Sequence, residues 1–397
     1  MIQLVCDNSI GFDAKMNLPY KFNFATDIEI VSTWENLTDT CRITLPNKLR
    51  LRGRDHTDNL TNGTDALWKR GDPVTIRLGY QYKNNLNKQI NSLNTVFTGK
   101  ISRVYPDKPL IFECEDRMFD LKLKSLSNYN NKSLLINGKT TLDLVIKDIF
   151  LKAGLNPATA TDSFNNPAPF TISCEPIVIT GISFRGTFSL SEIINYFTRE
   201  PFHLYAYFQN TIVNGVVTAT ILYIGFPYKL GRAATATPKG PFDFNKNIID
   251  SDMDYMRGDD VRIQVSAINI NTSGNVDTKD KAILVDGTTV TKGGKTSTQP
   301  DPNAEQRTIY TINKTPAAVL DEANQYAKKF KYTGFRGSFV TFLQPTVTHG
   351  DQIKLVDTTI PDRSGIYLVK QVITKFGGGG GRQIIYLDIK VADLPVQ

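Results

Sequence analysis

Glu113, Glu115 and Asp116 form a local set of carboxyl groups of the kind that hydrolyses glycosidic bonds, one carboxyl supplying a proton and another acting as base or nucleophile. Glu113 and Glu115 share one face of an alternating run, and Arg117 follows closely. No sugar-stacking aromatic cluster accompanies them, Trp34 and Trp68 being the only tryptophans. These residues therefore favour an ion-paired outer barrel face over a cell-wall hydrolase. Asp250-Ser251-Asp252-Met253-Asp254 imitates the start of a calcium loop. Tyr255 stands where such a loop needs glycine for its bend, and Val261 where it needs a bidentate glutamate, so a solvated acidic turn before a strand is expected instead. Gly377 to Gly381 lacks the following helix and the Lys-Ser or Lys-Thr of a phosphate loop, and reads as a flexible hairpin tip.

The three histidines, His56, His203 and His349, lie in different regions, so an imidazole-based triad or metal cluster would need long-range convergence. Cys6, Cys41, Cys114 and Cys174 are widely spaced without a Cys-x-x-Cys pair; they imply neither a zinc site nor a disulfide framework, and Cys114 reads as a buried small hydrophobe. No catalytic residue, cofactor or metal site is expected.

The elements that must position these residues are mostly strands. Phe22, Phe24, Ile28 and Ile30, then Cys41, Ile43 and Leu45, then Val74, Ile76 and Leu78 alternate with polar residues, the period of half-buried antiparallel strands. Residues 1–125 are expected to form a first β-barrel, with an exposed hairpin tip at 82–93. Residues 126–225 read as an α+β domain with two helix-strand-strand units. Its first helix carries Leu142, Val145, Ile146 and Ile149 and stops at Gly154; its second opens on the capping box Ser189-Leu190-Ser191-Glu192. Residues 226–397 are expected to hold a second β-barrel that includes a strand at Val261 to Ile270. A polar arm spans about 271–306, with a hairpin around Asp286-Gly287, and one helix covers 315–331, opening on Thr315-Pro316.

One phrase occurs twice. Arg70-Gly71-Asp72-Pro73-Val74-Thr75-Ile76 returns as His349-Gly350-Asp351-Gln352-Ile353-Lys354-Leu355, and each copy precedes a second pair of strands. Gly71, Asp72, Val74 and Ile76 thus have counterparts in Gly350, Asp351, Ile353 and Leu355, and a duplicated barrel is the economical reading. In the repeat His349 replaces Arg70, which suggests a turn role for it.

With 397 residues, 40% of them hydrophobic, the chain can bury several cores. Its net charge of +7 is scattered rather than massed and does not mark out a nucleic-acid groove. Met1-Ile2-Gln3-Leu4-Val5 does not begin a signal peptide, and no run of about 18 apolar residues occurs, so cytoplasmic synthesis without a membrane segment is expected.

The run Trp68 to Val74, followed by Phe97-Thr98-Gly99-Lys100-Ile101 and Leu110 to Asp116, resembles the baseplate hub proteins of contractile phage tails, related to the base of type VI secretion spikes. Tyr255 to Val261 and Phe335 to Asp351 are similar to that family's second barrel. The resemblance implies a mainly β protein, with two similar small antiparallel barrels flanking an α+β insertion. It implies a homotrimer whose six barrels make a pseudo-sixfold ring in the virion tail, with tail tube protein above, spike protein below and a channel for DNA. It implies no enzymatic activity. A receptor- or carbohydrate-binding tail module is the alternative that the many Tyr and Asn residues and long polar loops suggest.

Overall fold

The computed structural model describes residues 5–13, 19–22, 24–46, 68–83, 89–105, 109–126, 134–161, 168–175, 177–184, 186–199, 202, 204–213, 216–225, 237–270, 283–285, 288–292, 295–299, 303–312 and 316–393. The positions of His56, His203 and the Asp286-Gly287 turn fall outside these residues.

The N-terminal part contains β1 (Val5–Asp13), β2 (Pro19–Phe22), β3 (Asp27–Thr33), β4 (Thr40–Leu45), β5 (Pro73–Lys83), β6 (Gln89–Asn91), β7 (Asn94–Tyr105) and β8 (Leu110–Glu115). A short helix, α1 (Met118–Leu123), follows where strand and turn were expected; its six residues are too few to show a helical period. The middle part runs β9 (Leu134–Thr141), α2 (Leu142–Lys152), β10 (Thr171–Cys174), β11 (Val178–Phe184), α3 (Leu190–Thr198), β12 (Tyr205–Val213) and β13 (Val216–Gly225). The C-terminal part begins with β14 (Lys239–Asp243), β15 (Ile248–Met256), β16 (Ile263–Ile270), β17 (Ile283–Val285), β18 (Thr288–Lys292), β19 (Lys295–Gln299) and β20 (Glu305–Ile312). It ends with α4 (Pro316–Phe330), β21 (Gly334–Phe342), β22 (Gln352–Val356), β23 (Gly365–Gly377) and β24 (Gly380–Asp393).

The chain is mainly β with an α-containing insertion. Neither strand set closes into a cylinder among the described residues. Instead β3 pairs with β23, which fuses the two sets into one 14-stranded sheet of order β15-β21-β24-β23-β3-β4-β8-β7-β5-β1-β2, with β6 beside β5 and the β22–β14 pair beside β23. The expected barrels are thus two open, strongly paired arcs. That outcome was hidden from a sequence reading because the β3–β23 ladder joins residues more than three hundred positions apart.

Each arc keeps its own core where the alternation puts apolar side chains. Ile28, Ile43, Trp68, Ile76 and Phe112 pack in the first, and Phe242, Phe339, Ile353, Leu355 and Tyr367 in the second. The insertion has a third core, in which α2 and α3 bury Leu142, Ile146, Ile149, Ile193 and Phe197. The capping box at Ser189 is formed: its hydroxyl accepts from the Glu192 N–H, and the Glu192 carboxylate accepts from the Ser189 N–H at 2.7 Å. The strand β16 is not part of the second arc as expected; it pairs with β17 and β20 and packs under α4 through Val265, Val319 and Ala323 as a separate layer. Asp250 to Asp254 lie within β15 rather than in a turn before it.

Trp34, Tyr207, Tyr223, Leu368 and Ile389 form a small cluster where the first arc, the insertion and the second arc meet. Hydrogen bonds reinforce the union of the arcs: Tyr80 donates to the Gly381 carbonyl and accepts from the Leu343 N–H, and the Gln344 side chain donates to the Ser92 carbonyl.

Candidate functional site

Gly71 and Gly350 adopt φ of +96° and +80°, backbone values that glycine reaches without a Cβ penalty. The bonds that follow are the same in both turns. The Gly71 N–H donates to the Ile101 carbonyl at 2.8 Å, and Ile101 returns a bond to the Asp72 carbonyl at 2.9 Å. The Gly350 N–H donates to the Val369 carbonyl at 2.8 Å, and Val369 returns a bond to the Asp351 carbonyl at 3.0 Å. Each aspartate also closes its own turn, Asp72 accepting from the Lys69 N–H and Asp351 from the Thr348 N–H, both at 2.7 Å. These carboxylates serve backbone donors that a sharp turn leaves unpaired. The apolar residues after each turn, Val74, Ile76, Ile353 and Leu355, are all buried.

The correspondence extends to whole arcs. Strands pair in the order β5-β7-β8-β4-β3 in the first and β22-β23-β24-β21-β15 in the second, with the same chain order of elements. Both carry a register shift at the matching position, between Ile101 and Arg103 against β8 and between Val369 and Gln371 against β24, and β23 has two further shifts before it, between Ile366 and Tyr367 and between Tyr367 and Val369. A bulge re-aims the strand that bears it, so both strands bend at this shared position.

The residue before each glycine differs in use. Arg70 is exposed and its guanidinium lies 5.3 Å over the Phe119 ring. His349 is buried at the three-way junction: its Nδ1 is 2.6 Å from the Ser32 hydroxyl and 3.6 Å from Asp39 Oδ2, and the Tyr207 ring meets it edge-on at 4.7 Å. Burial pushes the His349 pKa down to about 4 against a smaller opposing pull from Asp351, so the ring is neutral at pH 7. Burial also pushes Asp39 up to about 7, partly offset by hydrogen bonds from Thr33 and Ser32. Asp116 is raised by burial and by Asp39. The turn role expected for His349 is accompanied by a junction role that nothing local in the sequence signals.

A cavity of about 230 Å³ adjoins this cluster, lined by Ser32, Asp39, Lys100, Asp116, Gln209 and His349 among others. Lys100 is 5% exposed and its ammonium lies 2.5 Å from Asp120. The Ser32, Asp39 and His349 set resembles a hydrolytic triad in composition only. A catalytic imidazole binds the nucleophile through one nitrogen and the carboxylate through the other. Here Ser32 and Asp39 both approach Nδ1, while Nε2 is buried without a partner. The geometry clamps the first arc to the second.

The carboxylates that opened the sequence reading part company. Glu113 and Glu115 stay on the outer face of β8, where Glu113 accepts from the Tyr105 hydroxyl and Glu115 pairs with Lys122. Asp116 is buried and accepts from the Met118 N–H at the start of α1, and Arg117 lies over the Phe170 ring. Cys41 and Cys114 face each other across β4 and β8 as buried free thiols, whose pKa values burial raises. Sequence reasoning missed Ser32, Asp39, Lys100 and Tyr207; β7 mixes polar and apolar residues along its length, so nothing in its sequence singles out Lys100 as buried.

No protein-family model matches the chain, and no curated protein matches it in sequence. Solved structures do match in shape. The 43 kDa tail protein of prophage MuSo2 from Shewanella oneidensis superposes with a TM-score of 0.51 at 12% identity, over 98% of this chain and 100% of that one. The tail protein from Neisseria meningitidis MC58 superposes with a TM-score of 0.52 at 11% identity, over 96% of each chain. This chain has the fold of those phage tail proteins. The match runs nearly end to end, so it takes in both arcs and the insertion between them.

Among the described residues no helix is long and apolar enough to cross a membrane, and no group of three or more His, Cys, Asp or Glu side chains is placed to hold a metal ion.

Proposed function

We propose that the protein is a structural hub of a phage or prophage tail, a homotrimer whose six arcs form a pseudo-sixfold ring. The ring joins a sixfold tail tube above to a threefold spike below and leaves a channel through which DNA passes without sequence-specific contacts. The observation that carries this reading is the pair of arcs with one strand order, one bulge position and one Gly-Asp turn, in a chain that shares its fold with prophage tail proteins. Two like units per chain let three chains present six near-equivalent positions, and cyclic closure limits further growth.

The role is non-enzymatic in this reading. The carboxylates of β8 are ion-paired or hydrogen-bonded on the sheet face, and the junction histidine is held neutral with both partners on one nitrogen. The protein is made in the bacterial cytoplasm and functions in the virion tail, at the baseplate or tail tip. Light scattering coupled to size exclusion tests the proposal: a particle of three 44.3 kDa chains is expected, and a strict monomer at high concentration would defeat it.

A further inference from the structure

Inside one chain the first arc uses its β3 edge to pair with β23 of the second arc, from Gln371 opposite Thr33 to Gly377 opposite Asp27. Lys375 and Glu29 form an ion pair of 3.1 Å across that ladder. The counterpart of β3 in the second arc is β15, which pairs with β21 on one side and has no strand on the other among the described residues. The counterpart of β23 in the first arc is β7. On the side facing β5, its ladder stops at Lys100, so among the described residues Ser102 to Tyr105 have no strand beside them there.

We infer that β15 of one copy pairs antiparallel with the Arg103–Tyr105 segment of β7 in a second copy, repeating between chains the β3–β23 contact made within each. The ladders define the register. Arg103 pairs with Glu113 as Gln371 pairs with Tyr386, Arg42 with Glu113 as Ser338 with Tyr386, and Glu29 with Arg42 as Asp252 with Ser338. Asp252 therefore corresponds to Glu29, and Asp254, Tyr255 and Met256 to Val31, Ser32 and Thr33. Transferring the internal pairing sets Tyr105 opposite Asp254, Val104 opposite Tyr255 and Arg103 opposite Met256.

Two observations independent of that bookkeeping agree with it. Val104 packs against the first core and Tyr255 against the second, so both point inward at the same register position. Arg103, Asp254 and Met256 are exposed and point outward. A slip of one residue would set core-facing against solvent-facing positions and is disfavoured. Charge also matches: β15 exposes Asp250, Asp252 and Asp254, while the β7 segment offers Arg103, diagonal to Asp254. Exposed carboxylates on an edge strand ordinarily guard it against indiscriminate pairing; here they also admit a basic partner selectively. The contact is head-to-tail, so it builds a ring when the rotation closes. It deepens the hub reading and rests on it only for the number of copies, three.

Cysteine cross-linking of the full chain tests the register, because directly opposed residues in an antiparallel pair lie within disulfide reach. The chain carrying Tyr105→Cys with Asp254→Cys, and separately the chain carrying Arg103→Cys with Met256→Cys, should oxidise to covalent dimers and trimers and stop there. Each single variant and the wild type, with its four native cysteines, should stay uncross-linked. As a measurement that does not depend on disulfide geometry, Asp252→Lys with Asp254→Lys should raise the concentration needed for assembly at least tenfold, while the folded monomer is kept because both side chains are exposed. Cross-linking by a single variant would overturn the head-to-tail contact. A trimer in solution whose double-cysteine variants do not cross-link, and whose lysine variant assembles normally, would overturn the strand pairing and leave the hub reading standing. Absence of any assembly in the wild type would overturn both.

Discussion

Replacing His349 by Gln should change how stability responds to acid, and the size of the change follows from the junction. In the folded chain His349 is buried against Ser32 and Tyr207 with its pKa near 4; in the unfolded chain it returns to about 6.5. A depressed histidine pKa means that the unfolded state binds the proton more readily between these values, so stability present above pH 6.5 is lost as the pH falls toward 4. The full gap corresponds to about 3 kcal/mol. Asp39 works the other way: with its folded pKa raised from 3.8 to about 7, it contributes stability below pH 3.8 that is lost as the pH rises through 7. The two trends largely mask each other in the wild type, so the informative quantity is the stability difference between wild type and variant. Urea unfolding followed by tryptophan fluorescence at pH 7.5, 6, 5 and 4 should show that difference shift by about 3 kcal/mol in favour of His349→Gln on acidification. With three histidines in the chain, ring proton shifts can also be followed one by one, and one ring should stay neutral down to pH 5. A constant difference across the series, or three rings all titrating near 6.5, would refute a neutral buried His349.

Other outcomes follow from the same contacts. Gly71→Ala and Gly350→Ala should each cost about 1–2 kcal/mol and by similar amounts, since a Cβ meets nothing closer than 3.5 Å at either site and only the positive φ resists it; thermal or urea midpoints would check this. Gly337→Ala should cost clearly more, because at φ +109° its Cβ would fall 2.1 Å from the Asp252 carbonyl oxygen. Trp34→Ala should destabilise by about 3–5 kcal/mol and loosen the junction, seen as faster amide exchange at Tyr207 and Leu368. Ser189→Ala should remove the capping box at a cost of about 1 kcal/mol, measurable by urea unfolding.

Much of the architecture is legible in the sequence because its determinants are local. Gly71 and Gly350 are glycines where φ is positive, and Asp72 and Asp351 satisfy donors three residues away in sequence, so the turn is written into a short phrase. Caps and apolar stripes likewise announced α2 and α3. What stayed hidden is non-local. The β3–β23 ladder that joins the two arcs into one sheet, the displacement of β16 to a layer under α4, and the burial of His349 against Ser32 all depend on partners that no spacing reveals. Asp116 shows the limit well: the alternation that buries Phe112 and Cys114 also turns it inward, while the neighbour that raises its pKa there, Asp39, comes from a distant stretch of chain.

Imaging the purified protein by single-particle electron microscopy addresses the ring itself. Three chains arranged so that their six arcs give a sixfold-like rotation around an open centre is the predicted view. Isolated single chains at high concentration, or an assembly in which the Gly71 and Gly350 arcs occupy unrelated positions, would contradict it.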